Sequence, residues 1–262
     1  MSTQALTQDQ AQQFEADGYL VLEDLFEKED IEQVLKIAHK DPLIAAAAKT
    51  NQNFEGDEGI GTRLVYRAKL SDDAYCAVVQ SRKILDVLEV LFQDQVSYYY
   101  HLCMLKNPGT GGWQWHQDYG YHYKEFFTPK FISVMVALDE ATADNGCLRV
   151  VKGSNQLGRL EHRESGSQLI ADPTRVDLAL DQLEEVHCKL KPGSVLFFHG
   201  NVLHASDVNV SDSSRWSLVI AYTARKNYCM LDEDPRTPIN PWDDDKVKEV
   251  TEKHWDMVKD SR

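Results

Sequence analysis

Two histidines and one aspartate in this chain have the types and spacing to hold a metal ion. His116 and Asp118 stand two apart in Trp113-Gln114-Trp115-His116-Gln117-Asp118-Tyr119. On an extended strand, side chains two apart share a face, so an imidazole Nε2 and a carboxylate oxygen can meet at one point. A third ligand is needed. The apolar stretch Val195-Leu196-Phe197-Phe198 runs through His199-Gly200-Asn201 to His204 and offers it. Two imidazoles and one carboxylate on one side of a metal leave open positions, which suits non-haem Fe(II) and oxygen. The same ligand types also accept Mn, Co or Zn, so the donors alone do not choose the ion.

More residues fall into the same order. Ser206 lies two positions after His204 and Arg215 eleven after it. Asp144-Asn145-Gly146-Cys147-Leu148-Arg149-Val150-Val151-Lys152-Gly153-Ser154 reads NG-x-L-x-x-x-x-GS. With these, the chain resembles the phytanoyl-CoA dioxygenase family of Fe(II)- and 2-oxoglutarate-dependent oxygenases, over roughly residues 10 to 225. The family usually continues the GS with His; here Asn155 stands there, and metal binding does not depend on it. The resemblance implies a double-stranded β-helix in which His116, Asp118 and His204 are the catalytic metal ligands. It further implies that Ser206 and Arg215 hold the far carboxylate of 2-oxoglutarate. A guanidinium gives a carboxylate two parallel N–H bonds, which a Lys cannot match. Fe(II), 2-oxoglutarate and O2 are then the cofactors, and a small molecule is hydroxylated with release of succinate and CO2. Relatives that transfer halide leave the carboxylate position empty, as the resemblance implies; Asp118 favours hydroxylation. The family spacing of eleven selects His204 over His199, which reads as a loop or supporting residue. Two rivals stand beside this: a cupin-like metal enzyme without 2-oxoglutarate, and a non-enzymatic small-molecule-binding module on the same fold.

Composition frames the reading. The chain has 262 residues, 42% of them hydrophobic, and a net charge of −14. That length suffices for one all-β sandwich or barrel with a full core. The acidity disfavours a nucleic-acid surface, which must neutralise phosphates, and an anionic membrane surface. It still allows a local basic pocket. No apolar run reaches a membrane span and the start lacks a leader pattern; the expectation is a soluble, cytoplasmic protein. Cys76, Cys103, Cys147, Cys188 and Cys229 are scattered and odd in number, which suggests buried free thiols.

The elements that must position the site follow in order. Thr7 and Gln10 predict a capping box, Asp17-Gly18 a stop, and Tyr19–Leu22 a strand. A helix is expected from about Glu29, broken at Pro42, and another after Ser81 with Ile84, Leu85, Leu88 and Leu91 at helical spacing. From Val96 the chain turns to β character, including 96–106, the His116 strand running through Asp118, 131–138, 147–151, 186–190, 194–198 and 215–223. Asn145-Gly146 predicts a two-residue hairpin. Residues 153–185 read as a polar insertion of weak helical character. Helices first and then hairpin-linked strands predict a mainly β jelly roll with helices on one sheet. The core spans about 96–225, the N-terminal helical part about 5–93 and an acidic extension about 230–262, in a single domain. The glycine-rich 51–61 stretch and the 153–185 insertion are candidate lids.

Tyr98, Tyr100, Trp113, Trp115, Tyr119, Tyr121 and Tyr123 concentrate aromatic surface around the ligand strand, mostly as core. Lys106, Arg67 and Arg149 are basic residues near the ligands. The first two are expected to snorkel at the surface, with acid binding as the alternative; Arg149 has the same ambiguity. His122 is expected in a solvent-facing loop, with a place in the substrate pocket as the alternative.

Overall fold

Thr7 accepts the Gln10 N–H while the Gln10 side chain accepts the Thr7 N–H, the capping box that starts α1 (Gln8–Asp17). The computed structural model, which describes residues 6–50 and 60–261, then places β1 (Tyr19–Leu22) and α2 (Lys28–Lys40). Pro42 does more than break α2. It opens α3 (Pro42–Ala47), where its missing N–H costs nothing and Asp41 caps the Leu43 N–H at 2.8 Å. After β2 (Lys49–Thr50), β3 (Arg63–Arg67) and α4 (Ala74–Val79), Ser81 caps α5 (Arg82–Phe92). The β series comprises β4 (Val96–Lys106), β5 (Trp113–His116), β6 (Phe131–Ala137), β7 (Leu148–Val151), β8 (His162–Ser165), β9 (Gln168–Ala171), β10 (Glu185–Cys188), β11 (Val195–His199), β12 (His204–Ser206), β13 (Arg215–Ala224) and β14 (Thr237–Pro238). Between these lie α6 (Asp118–His122), a 3₁₀ turn at Ser154–Leu157 and α7 (Pro173–Gln182), and α8 (Asp244–Val258) closes the order.

The strands form two facing antiparallel sheets, a jelly roll of the double-stranded β-helix type. The larger runs β1-β11-β6-β13-β4-β3-β2, with β14 also on β4; the smaller runs β10-β7-β12-β5. From β10 to β13 the chain crosses from one sheet to the other at every step, so neighbours in sequence face each other across the core. Strand β6 shows the pleat at work. Ile132, Val134 and Val136 join the helices on the outer face, packed with Ile31, Ile84 and Leu88. Met135 and Ala137 point inward with Leu148, Val150 and Phe198. Burying each such large apolar side chain is worth about 1.5–3 kcal/mol.

A bulge in β4 shapes the cavity. Ala221 pairs with Tyr100 but Tyr222 pairs with Tyr98, leaving Tyr99 as the extra residue. Tyr98 therefore packs on the helix side, while Tyr100 faces inward with Leu102, Met104 and Lys106.

Four expectations need correction. Asn145-Gly146 does not join a hairpin, because β6 and β7 belong to different sheets; the turn carries the chain between them, with Asn145 accepting the Thr142 N–H and donating to Glu140 O. The insertion is well formed, with the β8–β9 hairpin and the 10-residue α7 capped by Asp172; its short strands and Pro start give weak periodic signals. Cys229 is only half-buried, whereas the other four free thiols are buried. The extended strand proposed through Asp118 stops at His116, and Asp118 is the first residue of α6. Of the proposed 51–61 lid, residues 51–59 lie outside the described residues.

Candidate metal and cosubstrate centre

His116 and His204 are brought together by sheet register: they are cross-strand partners on β5 and β12, with ring centroids 4.1 Å apart. Asp118 reaches them from the start of α6. Its Oδ1 lies 3.7 Å from His116 Nε2 and 3.5 Å from His204 Nε2. Among the described residues these three form the cluster whose ligand atoms could hold one ion, all within 4.8 Å of one another.

Supporting bonds fix which atoms face that point. His116 Nδ1 lies 2.6 Å from Gln114 O and His204 Nδ1 lies 3.0 Å from Val202 O. A carbonyl only accepts, so each Nδ1 carries the proton and each Nε2 keeps a lone pair for a metal. Ser133 donates its hydroxyl to Asp118 Oδ2, which leaves Oδ1 toward the histidines. Burial, then the neighbouring His204, pushes His116 down to about 3, so it is neutral and ready to ligate. Burial alone would raise Asp118, yet its carboxyl is held below its usual range, with the hydroxyl that Ser133 donates among the groups favouring the charged form. This donor set fits a divalent ion of the Fe(II) type.

Arg215 stands at one end of the same cavity, 3% exposed. Among the described residues no carboxylate pairs with it. Among the described residues its Nη1 reaches Met135 Sδ at 3.9 Å and its Nε has no hydrogen-bond partner. Burial lowers it to about 10, still charged at neutral pH. A buried cation without a counter-ion is costly, and a carboxylate-bearing ligand would relieve that cost. Ser206 is at the same end, with its hydroxyl 3.2 Å from Lys106 Nζ.

Lys106 overturns the surface expectation: it is 1% exposed and also donates to Asp207 O. The inward pleat of β4 drives it there. Burial, then Arg215, brings it down to about 6. Arg67 remains on the helix side, paired with Asp73 at 3.0 Å. Arg149 is engaged by Glu185 at 2.7 Å, Asp207 at 2.8 Å and the Trp115 ring.

His122 is not in a solvent-facing loop. On α6, its Nδ1 lies 2.7 Å from Glu125 Oε2 and its Nε2 3.1 Å from the Tyr100 hydroxyl. The ionised Glu125 only accepts, so His122 Nδ1 donates to it, and the ring's other nitrogen shares a hydrogen bond with the Tyr100 hydroxyl. His199 ends β11, accepts the Asn201 N–H at 3.1 Å and lies outside the cluster. Asn155 donates to Glu15 O, away from the cluster.

Of the aromatic residues, Tyr100 and Trp113 line the cavity. Tyr121 sets its ring edge against His116 at 5.6 Å. Tyr119 is core, Trp115 packs beside Leu203, and Tyr123 is exposed against Arg159. The sequence reading missed Ser133, Gln117 and the Glu125 partner of His122. Ser133 had a signal, a lone hydroxyl on the inward phase of an apolar strand. Gln117 had none.

A jelly roll that offers a facial metal set beside a buried arginine with no carboxylate partner among the described residues is that of the 2-oxoglutarate-dependent iron dioxygenases, and the chain is an enzyme of this class. Comparison with known proteins narrows the assignment. The family model for phytanoyl-CoA dioxygenase (PhyH) matches residues 14–217, and the chain belongs to that family. It is 28% identical over 223 residues to a protein of Stutzerimonas stutzeri named "Probable alpha-ketoglutarate-dependent hypophosphite dioxygenase", covering 82% of this chain and 77% of the relative. It is 27% identical over 241 residues to the ectoine dioxygenase of Sphingopyxis alaskensis, covering 83% and 76%. The crystal structure of EctD from S. alaskensis with 2-oxoglutarate and 5-hydroxyectoine superposes with a TM-score of 0.77 at 21% identity, over 93% of this chain and 89% of that one. Among the described residues no helix is long and apolar enough to cross a membrane.

Proposed function

We propose that His116, Asp118 and His204 are the catalytic Fe(II) ligands, and that Arg215 and Ser206, joined by Lys106, hold the far carboxylate of 2-oxoglutarate. The observation that carries this is the buried guanidinium of Arg215, without a carboxylate partner among the described residues, at the end of the cavity whose wall bears the triad. With iron and 2-oxoglutarate bound, the centre supplies oxygen activation coupled to oxidative decarboxylation, yielding succinate, CO2 and a hydroxylated small molecule.

The protein's part is positioning. Gln114 O and Val202 O hold the two imidazoles in one tautomer, and Ser133 fixes the rotation of the Asp118 carboxylate. Arg215 and Lys106 orient the cosubstrate from one end by charge and paired N–H donors. Met135, Leu148, Phe198 and Val219 give the cavity apolar walls that exclude water. Tyr100, hydrogen-bonded to His122, sets its hydroxyl at the cavity wall. A polar group of a substrate would find a hydrogen-bonding partner there.

The jelly-roll core of about 96–225 carries the chemistry in this reading, with the helices of 5–93 and the 230–262 extension supporting it as one domain. The mostly buried free thiols support a cytoplasmic setting. The test is anaerobic titration of the Fe(II) protein with 2-oxoglutarate, following the visible charge-transfer band of the chelate. The expected result is a band in the wild type, lost in His204→Ala and shifted to much higher 2-oxoglutarate in Arg215→Ala. An iron-loaded wild type with no band would overturn the reading.

A further inference from the structure

We infer that Gln117, the residue between the two ligands of the His116-x-Asp118 pair, is a positioning residue that straps the metal centre to the turn before His204 and to the 158–162 segment. This rests on the metal-site reading above. The β5–β12 ladder pairs Trp113 with Ser206 and His116 with His204, with an irregularity between, and stops there. Asp118 lies beyond the last rung. Sheet register therefore fixes the two histidines relative to each other but does not fix Asp118 relative to His204.

Two hydrogen bonds take over where the ladder ends. Gln117 Nε2 donates to Asn201 O at 2.7 Å, and the Tyr119 N–H donates to Gly200 O at 2.9 Å. Both tie the segment bearing Asp118 to the turn three and four residues before His204. The same amide reaches the insertion: Nε2 donates to Gly158 O at 2.8 Å, and Oε1 accepts the Leu160 N–H at 2.7 Å. Gln117 is fully buried. A second strap runs from its backbone, whose N–H is accepted by His162 Nε2 at 3.0 Å, while His162 Nδ1 donates to Leu160 O at 2.9 Å. The His162 ring lies so close to α6 that a Cβ at position 120 would come within 2.4 Å of it, which is why Gly120 stands there.

The chemistry is specific to an amide. Two carbonyls need two N–H donors and one N–H needs an acceptor, all from one buried side chain. Glutamate has the same shape but, when ionised, offers no donor and sets a charge against two carbonyls. A glutamine that served only core stability would have no reason to take every partner from the ligand-bearing turn and the insertion. Removing the strap leaves the Tyr119–Gly200 bond alone to hold Asp118 relative to His204, and leaves the Arg215 end of the cavity in place.

The experiment is anaerobic titration of the full chain with Co(II), followed by its visible d–d absorption, with circular dichroism as the check on folding. In Gln117→Glu the apparent Kd for Co(II) is expected to rise about 10–100-fold, the range seen when groups that orient metal ligands are removed, with an altered spectrum at saturating metal. A role in stability alone would lower the melting temperature and leave that saturated spectrum unchanged. His162→Leu removes the acceptor for the Gln117 N–H without touching the amide, so it tests the strap if Gln117→Glu does not fold; the same change is expected. His162→Gln, which restores an acceptor near Nε2, should return toward the wild type. Wild-type affinity and spectrum in a folded Gln117→Glu or His162→Leu chain overturn the proposal. His204→Ala separates the two levels: if it binds Co(II) like the wild type, the metal-site reading falls and takes this proposal with it.

Discussion

Arg215 and Lys106 face each other across the β13–β4 ladder, both buried at the same end of one cavity. Two like charges placed so would repel, and the cavity's answer is to hold the lysine near neutrality until an anion arrives. In the proposed reading this end of the cavity receives the cosubstrate, and the pairing is expected to make its binding sensitive to pH.

The sign of that sensitivity follows from the lysine. In the free protein burial, then Arg215, lowers Lys106 to about 6. A carboxylate beside it favours the ammonium form and raises that value, so binding takes up a proton between the free and bound values. Affinity for 2-oxoglutarate is therefore fullest below about pH 6 and falls as pH rises, by up to about tenfold per unit. Dissociation constants from the charge-transfer band at pH 6, 7 and 8 measure it. Lys106→Met should bind more weakly at pH 6 and lose the slope; a slope that persists in this variant would assign the proton elsewhere.

Arg215→Lys keeps the charge but loses the planar fork. The expected cost is about 1.5–3 kcal/mol, roughly 10–150-fold in 2-oxoglutarate affinity, with Co(II) affinity close to wild type. Comparing the two titrations on one preparation checks it. Equal weakening of both would mean that the arginine supports the fold around the metal rather than the cosubstrate.

Ser133→Ala removes the donor that holds Asp118 Oδ2. The carboxylate then rotates freely, and metal affinity should drop about 10-fold or more while the apolar register of β6 is retained. Metal titration with a parallel thermal melt distinguishes this from unfolding. Unchanged metal affinity would leave the serine as a core hydroxyl only.

Gly146 has φ +73°, and a Cβ there would approach Asp207 O to 2.3 Å and Lys106 Nζ to 2.8 Å. Gly146→Ala should therefore cost about 1–2 kcal/mol from the backbone alone, with the overlap adding to it. For a chain of this size that is a fall of roughly 2–8 °C in melting temperature. 2-Oxoglutarate binding should also weaken as Lys106 is displaced. A calorimetric scan and the cosubstrate titration together test whether the turn serves the pocket or only the chain reversal.

The candidate site was readable because it depends on residue type and order: the ligand atoms of His116, Asp118 and His204 lie within 4.8 Å of one another, and Ser206 and Arg215 line the same cavity. The helices were readable through their caps, as with Thr7 and Ser81. What could not be read were properties set by the partner strand. Lys106 looks like any basic residue at a strand end, and only the bulge at Tyr99 and the pairing with Arg215 turn it inward. Asn145-Gly146 carries a hairpin signal, yet which sheet each flanking strand joins is decided by long-range pairing. Asp118 was expected on a strand because H-x-D works by period two; a helix start delivers the same carboxylate by another route. Gln117 was silent because its partners at 158, 160 and 201 are far away in sequence.

The repeated crossing between sheets also orders events in time. His116 and His204 are 88 positions apart, and they meet only after β12 has entered between β7 and β5. Contacts of such separation form slowly, since chain closure must precede any gain from them. The metal site is therefore expected to complete late in folding. An ion that binds the completed site more tightly than the unfolded chain would shift the folding equilibrium toward the native state by mass action.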